Sequence, residues 1–152
     1  YGNVDVAQVA MGANPQQPLQ AFREAEAWDG PSLILAYSHC IAHGFDIRRG
    51  LDQQDRAVAS GYWPLLRYDP ALREVGKAPF RLDSPRPTLP FKDYAYNELR
   101  YAALAASRPE EAAQLLAEAQ RAILDKYHSY EDFAQMDGGP APSQALGAAG
   151  KM

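Results

Sequence analysis

With 152 residues, 47% of them hydrophobic and 22% charged, the chain has the make-up of one globular domain and lies outside the disordered class. A chain of this size buries roughly two-thirds of the surface its unfolded form exposes, so neither a metal nor a disulfide is needed merely for compactness. Fifteen Lys and Arg against nineteen Asp and Glu, a formal net charge of −4, exclude the basic footprint of a nucleic-acid or anionic-membrane binder. The single cysteine, Cys40, has no partner for an internal disulfide. Without a signal-peptide pattern or an apolar run of spanning length, the expected setting is a reducing cytoplasm. The opening Tyr1-Gly2-Asn3-Val4 runs almost at once into an apolar segment, which suggests a piece of a longer protein.

The short valine-rich run 4–11, ended by Gly12, predicts a buried strand. Asn14-Pro15-Gln16-Gln17 then reads as a helix start, with Asn14 as N-cap, Pro15 at the first helical position and Gln17 completing a capping box. Leu19, Phe22, Ala25 and Trp28 follow as the expected apolar stripe, and Asp29-Gly30-Pro31 stops the helix. The run 32–37, SLILAY, is a second strand. Strand, helix and strand form a βαβ unit with parallel strands, and in such sheets ligands bind beyond the carboxyl ends of the strands. Here those ends are Gly12-Ala13-Asn14 and Ser38-His39-Cys40.

A helix is predicted over 51–60 and a strand over 62–68, with Pro64 marking an edge or a strand start. Another short strand is expected at 80–82. The proline-rich stretch 84–92 reads as a linker between an α/β part, 1–83, and a helical extension, 93–135. That extension holds two helices divided near Ser107-Arg108-Pro109-Glu110. Leu115, Leu116, Ala119, Ile123 and Tyr127 form a stripe that packs onto the α/β part or onto a partner. The Gly-, Ala- and Pro-rich tail, 136–152, is expected to be flexible. Tyr62 and Trp63 read as core or interface aromatics.

His39-Cys40-Ile41-Ala42-His43 puts three metal-capable side chains in five residues. Cys40 is open to several roles: a small buried hydrophobe at a strand end, one ligand of an incomplete zinc site, a nucleophile activated by His43, or one thiolate of an iron–sulfur cluster whose other ligands lie elsewhere. Spacing alone does not choose among them. His39 and His43 read as ordinary hydrogen-bonding histidines, with a tuning role around a cluster as the alternative. For Asn14, helix capping stands beside a position near a cofactor.

The strings YGNVDVAQVAMGAN (1–14), FREAEAWDGPSLILAYSHCIAHG (22–44) and QQDRAVASGYWPLLRYDP (53–70) closely resemble the C-terminal, thiamine-diphosphate-binding region of the pyruvate:ferredoxin (flavodoxin) oxidoreductases. The resemblance is nearly continuous to Asp83 and looser to about Gln135; the tail has no counterpart. Asp5 stands where the family pattern has an aromatic residue, and Trp28 where tyrosine is usual. The resemblance implies an α/β fold, the C-terminal portion of a thiamine-diphosphate-binding domain with a parallel βαβ sheet, followed by a helical extension.

By the same resemblance, Cys40 is a cofactor-binding residue, the remote fourth ligand of a [4Fe–4S] cluster. The remaining cluster cysteines, the thiamine diphosphate and Mg2+ motif and the pyruvate-contacting residues are implied to lie upstream of Tyr1, in the rest of the oxidoreductase chain. The implied reaction is oxidative decarboxylation of pyruvate with coenzyme A to acetyl-CoA and CO2, its electrons leaving through iron–sulfur clusters to ferredoxin or flavodoxin, in a homodimeric enzyme; the piece alone is expected to be inactive. Two rivals stand beside it: a catalytically inactive interaction module, and an oxidoreductase for a different 2-oxo acid.

Overall fold

A computed structural model describes residues 2–136; the expected flexible tail, from 137 onward, falls outside the described residues. Strand β1 (Asp5–Val9) leads through helix α1 (Gln16–Ala27) to strand β2 (Ser32–Ala36), and the two strands pair in parallel with Ala7 opposite Ile34 and Val9 opposite Ala36. This is the βαβ unit that the apolar runs announce, with both strands a little shorter than the runs. The chain next makes two short 3-10 turns, Ile41–His43 and Ile47–Arg49, and enters helix α2 (Gly50–Ala59).

Strand β3 (Leu66–Tyr68) lies on the other side of β1 and runs antiparallel to it; after helix α3 (Pro70–Glu74), strand β4 (Phe80–Leu82) pairs antiparallel with β3. The sheet is therefore mixed, in the order β2-β1-β3-β4. The expected strand 62–68 shortens to its last three residues. Pro64, buried beneath the sheet end, donates no hydrogen bond, and Gln8 Nε2 instead donates to its carbonyl at 2.7 Å.

The face that α1 turns to the sheet differs from the expected stripe. Gln17, Pro18 and Ala21 are buried, whereas Leu19 and Phe22 are 54% and 58% exposed. A spacing of three falls short of the 3.6-residue turn, and the small Ala21 lets the helix settle closely on Ala7, Val9 and Ile34. Asn14 does cap α1, its Oδ1 accepting from the backbone N–H groups of Gln16 at 3.0 Å and Gln17 at 3.2 Å. The capping box does not form, because the Gln17 amide turns inward and donates to the Gln8 carbonyl and to Asp83.

Residues 84–90 carry no regular element but are pinned: the N–H groups of Thr88 and Leu89 both donate to the Ala59 carbonyl. Helix α4 (Phe91–Ala95), α5 (Leu99–Ser107) and α6 (Pro109–Gln135) follow, with Arg108 between the last two. Ala57 of α2 packs with Phe91, Tyr94, Ala95 and Ile123, and Tyr62 stacks on Phe91 and Tyr94. The α6 stripe is buried at Ala112, Ile123 and Tyr127, while Leu115 is 47% exposed and points away. The α6 stripe thus packs onto the α/β part.

One face of the sheet is covered by α1. On the other, Val6 lies opposite Leu33 and Gln8 opposite Leu35, and both leucines are about half exposed. Among the described residues the end of α6 reaches this face, where Phe80 packs against Tyr130 and Phe133. A groove of about 570 Å³ remains open beside it, lined by Val6, Leu35, Tyr68, Phe80, Phe133 and Met136 among others.

Candidate functional site around Cys40

The carboxyl ends of β1 and β2 lie side by side, so the segments that follow them, 10–14 and 37–44, share one rim of the sheet. Tyr37 N–H continues the ladder to the Val9 carbonyl at 2.9 Å. Residues 37–40 carry no regular element; Cys40 is extended (φ −131°, ψ 136°), and its carbonyl accepts from His43 N–H and opens the first 3-10 turn. Gly44 ends that turn with φ of 73°, a left-handed conformation that glycine adopts without a Cβ clash.

Cys40 is exposed, which removes the reading of it as a small buried hydrophobe. Among the described residues no hydrogen bond joins its sulfur to His39 or His43, so the nucleophile arrangement is not formed. Nor does any group of three or more His, Cys, Asp or Glu side chains gather there in a metal-holding arrangement. What the rim presents is one accessible thiol on a braced turn.

The bracing comes from residues that carried no signal in the sequence pattern. Gln54, 6% exposed on α2, accepts from Gly12 N–H at 2.8 Å; its Nε2 lies 3.4 Å from the Tyr37 carbonyl and 3.4 Å from His39 Nδ1. One amide therefore ties the two strand-end segments together, using both its donor and its acceptor groups. The approach is close: a Cβ at Gly12 would collide with the Leu51 backbone, and one at Gly50 with the His39 ring. His39 also meets Phe45 edge to face.

On the far side, Glu98 is fully buried and accepts from Gln53 Nε2 at 3.1 Å and from Arg100 Nε. His43 Nδ1 faces the same carboxylate at 3.8 Å. Behind this, the hydroxyls of Tyr37 and Tyr94 meet at 2.8 Å. Burial pushes both phenols upward from their ordinary value, and the Tyr37 hydrogen bond raises Tyr94 further. Both hydroxyls therefore stay protonated at neutral pH and hold the end of β2 against α4. Trp63 Nε1 donates to the Val9 carbonyl at 3.1 Å, so Tyr62 and Trp63 are core aromatics, as expected.

A parallel βαβ unit with an accessible cysteine beyond its second strand defines an α/β protein, a class in which ligands bind beyond the carboxyl ends of the strands. No protein-family model matches the chain. The chain is homologous, over nearly nine-tenths of its length, to one segment of the pyruvate-flavodoxin and pyruvate:ferredoxin oxidoreductases. It is 50% identical over 134 residues to the pyruvate-flavodoxin oxidoreductase of Nostoc sp., covering 88% of this chain and 11% of that relative. Against the pyruvate:ferredoxin oxidoreductase of Moorella thermoacetica it is 45% identical over 135 residues, covering 89% and 12%. Against the pyruvate-flavodoxin oxidoreductase of Klebsiella pneumoniae the figure is 45% over 136 residues, covering 88% and 12%. The chain thus spans 11–12% of the length of these relatives. No helix among the described residues is long and apolar enough to cross a membrane.

Proposed function

We propose that this chain is the segment of a pyruvate oxidoreductase that supplies one thiolate, from Cys40, to a [4Fe–4S] cluster. The observation that carries the reading is the exposure of Cys40 on a braced turn at the carboxyl end of β2, in a chain up to 50% identical to such oxidoreductases. The donor set suits a share in a cluster better than a zinc site completed within this chain. This chain holds one cysteine, and its neighbouring histidines are turned to Gln54 and Glu98, whereas a structural zinc needs four ligands and a catalytic one three. A cluster held by four thiolates accepts one of them from a distant segment.

Cys40 binds iron as its thiolate, from an extended residue at the start of the first 3-10 turn. When bound, thiamine diphosphate with Mg2+ supplies the electron sink and the clusters the electron path, so that pyruvate and coenzyme A give acetyl-CoA, CO2, a proton and two electrons for ferredoxin or flavodoxin. The half-exposed Leu33 and Leu35 on β2 support a place for this chain inside a larger assembly, because parallel strand pairs are normally covered on both faces. The division into an α/β part to 83, a connector at 84–92 and a helical extension to 135 belongs to the same proposal, as do the cytoplasmic setting and the homodimer.

The test is Cys40→Ala in the complete oxidoreductase. Iron content should fall by up to one cluster, and pyruvate-dependent reduction of flavodoxin or ferredoxin should drop at least tenfold, while thiamine diphosphate is retained. Unchanged iron and unchanged reduction would overturn the assignment.

A further inference from the structure

The turn that carries Cys40 is gripped on both sides by buried polar side chains from other elements. Upstream, Gln54 of α2 donates to the Tyr37 carbonyl and approaches His39 Nδ1, while its Oε1 holds Gly12 on the neighbouring strand end. Downstream, Leu99 N–H donates to the Gly44 carbonyl at 3.1 Å, and the adjoining Glu98 faces His43 Nδ1. That ring nitrogen is buried and has no hydrogen-bond partner; the Glu98 carboxylate stands 3.8 Å from it, in contact but beyond hydrogen-bond length.

A fully buried carboxylate is costly to desolvate, and Glu98 offsets that cost with Arg100 and with Gln53, whose Nε2 also donates to the Tyr94 carbonyl at 3.1 Å. Gln53 and Gln54 are adjacent on α2, so one helix reaches the upstream grip directly and the downstream grip through Glu98. We propose that Gln54 and Glu98 are positioning residues that clamp segment 37–44 from its two ends and thereby fix where Cys40 presents its sulfur. The consequence for a cluster rests on the reading of Cys40 as a ligand; the clamp does not.

Cys40 is the one thiol of the 152-residue chain and is exposed, so once a cooperative urea transition and a helical far-UV circular dichroism spectrum show that this chain folds by itself, a nitroxide spin label attaches there alone. Labelled Gln54→Leu and Glu98→Gln chains should each show label mobility raised several-fold, with far-UV circular dichroism unchanged. Arg86→Ala, which removes a surface pair with Glu131, should leave mobility unchanged. Glu98→Gln keeps the side-chain volume, and a urea midpoint taken on every variant separates a loosened turn from a destabilised fold. Unchanged mobility in both folded variants, or an equal rise in Arg86→Ala, would overturn the clamp.

In the cluster-loaded oxidoreductase, Gln54→Leu and Glu98→Gln should retain iron but shift the midpoint potential and broaden the electron-paramagnetic signature of one cluster. Iron unaffected by Cys40→Ala alongside a mobile label in the clamp variants would remove the ligand reading and leave the clamp standing. Iron lost in Cys40→Ala with potential and label unmoved in both clamp variants would do the reverse.

Discussion

The two faces of the sheet are built on opposite plans. Beneath α1 the contact is small and polar: Ala7, Val9 and Ala21 meet closely, and Arg67 bridges Glu24 of α1 and both oxygens of Asp83. The other face carries Val6, Leu33, Leu35 and Tyr68 with a groove alongside. The first face is covered by α1, and Arg67 there is answered by two carboxylates from within the chain. The second offers apolar surface that the described residues leave open, and contiguous patches of this kind mark interaction sites. Apolar content therefore does not tell which side of this sheet is finished; the ion pairs and the alanines do.

The largest way to break the contrast is Arg67→Ala. Its guanidinium is 11% exposed and its two carboxylate partners 15% each, so its loss leaves two nearby acids unanswered in a mostly dry layer. Urea denaturation should show a loss of about 3–5 kcal/mol. A smaller effect, of the opposite sign, is expected at Asp5, on the same covered face. It is 2% exposed with Oδ1 unpaired, and burial pushes its carboxyl above the ordinary value, with Asp69 and Glu24 adding to the rise and Arg67 opposing it. The folded chain thus holds the proton longer than the unfolded chain, and stability falls as pH rises from the ordinary carboxylate value through the raised one. Asp5→Val should remove that slope and raise stability at pH 7 by about 1–2 kcal/mol, read from urea midpoints across a pH series.

The smallest effect belongs to the open face. Leu35→Gln should change the stability of the isolated chain by less than about 0.5 kcal/mol, since 43% of Leu35 is already exposed. A cost as large as that of Arg67→Ala would mean that the two faces are equally finished and that the contrast is wrong.

Much of the frame was legible in the residues. Two short apolar runs bracketing a capped helix gave the parallel pair, because the capping side chain and the turn residues act locally. The placement of Cys40 beyond the second strand followed from the same run. The buried face of α1 did not, since Leu19 and Phe22 are the more hydrophobic residues and yet face outward; the sheet selected the side that packs closest. The antiparallel return of β3 was equally hidden, for pairing direction is set by contacts distant in sequence. Gln54 and Glu98 carried no signal in the sequence pattern, because only the fold brings 12, 37 and 54, or 43 and 98, together.

Helix α6 reaches three places at once: its early turns lie on α5, Ile123 closes the cluster around Ala57, and Tyr130 and Phe133 meet Phe80 on β4. At 27 residues it is about 40 Å long. On a ribosome making 5–20 residues per second, segments that precede α6 emerge seconds before the side chains that seal them. Phe91, Tyr94 and Tyr62 are therefore made before Ile123, the residue that completes their cluster, so that cluster closes late in synthesis.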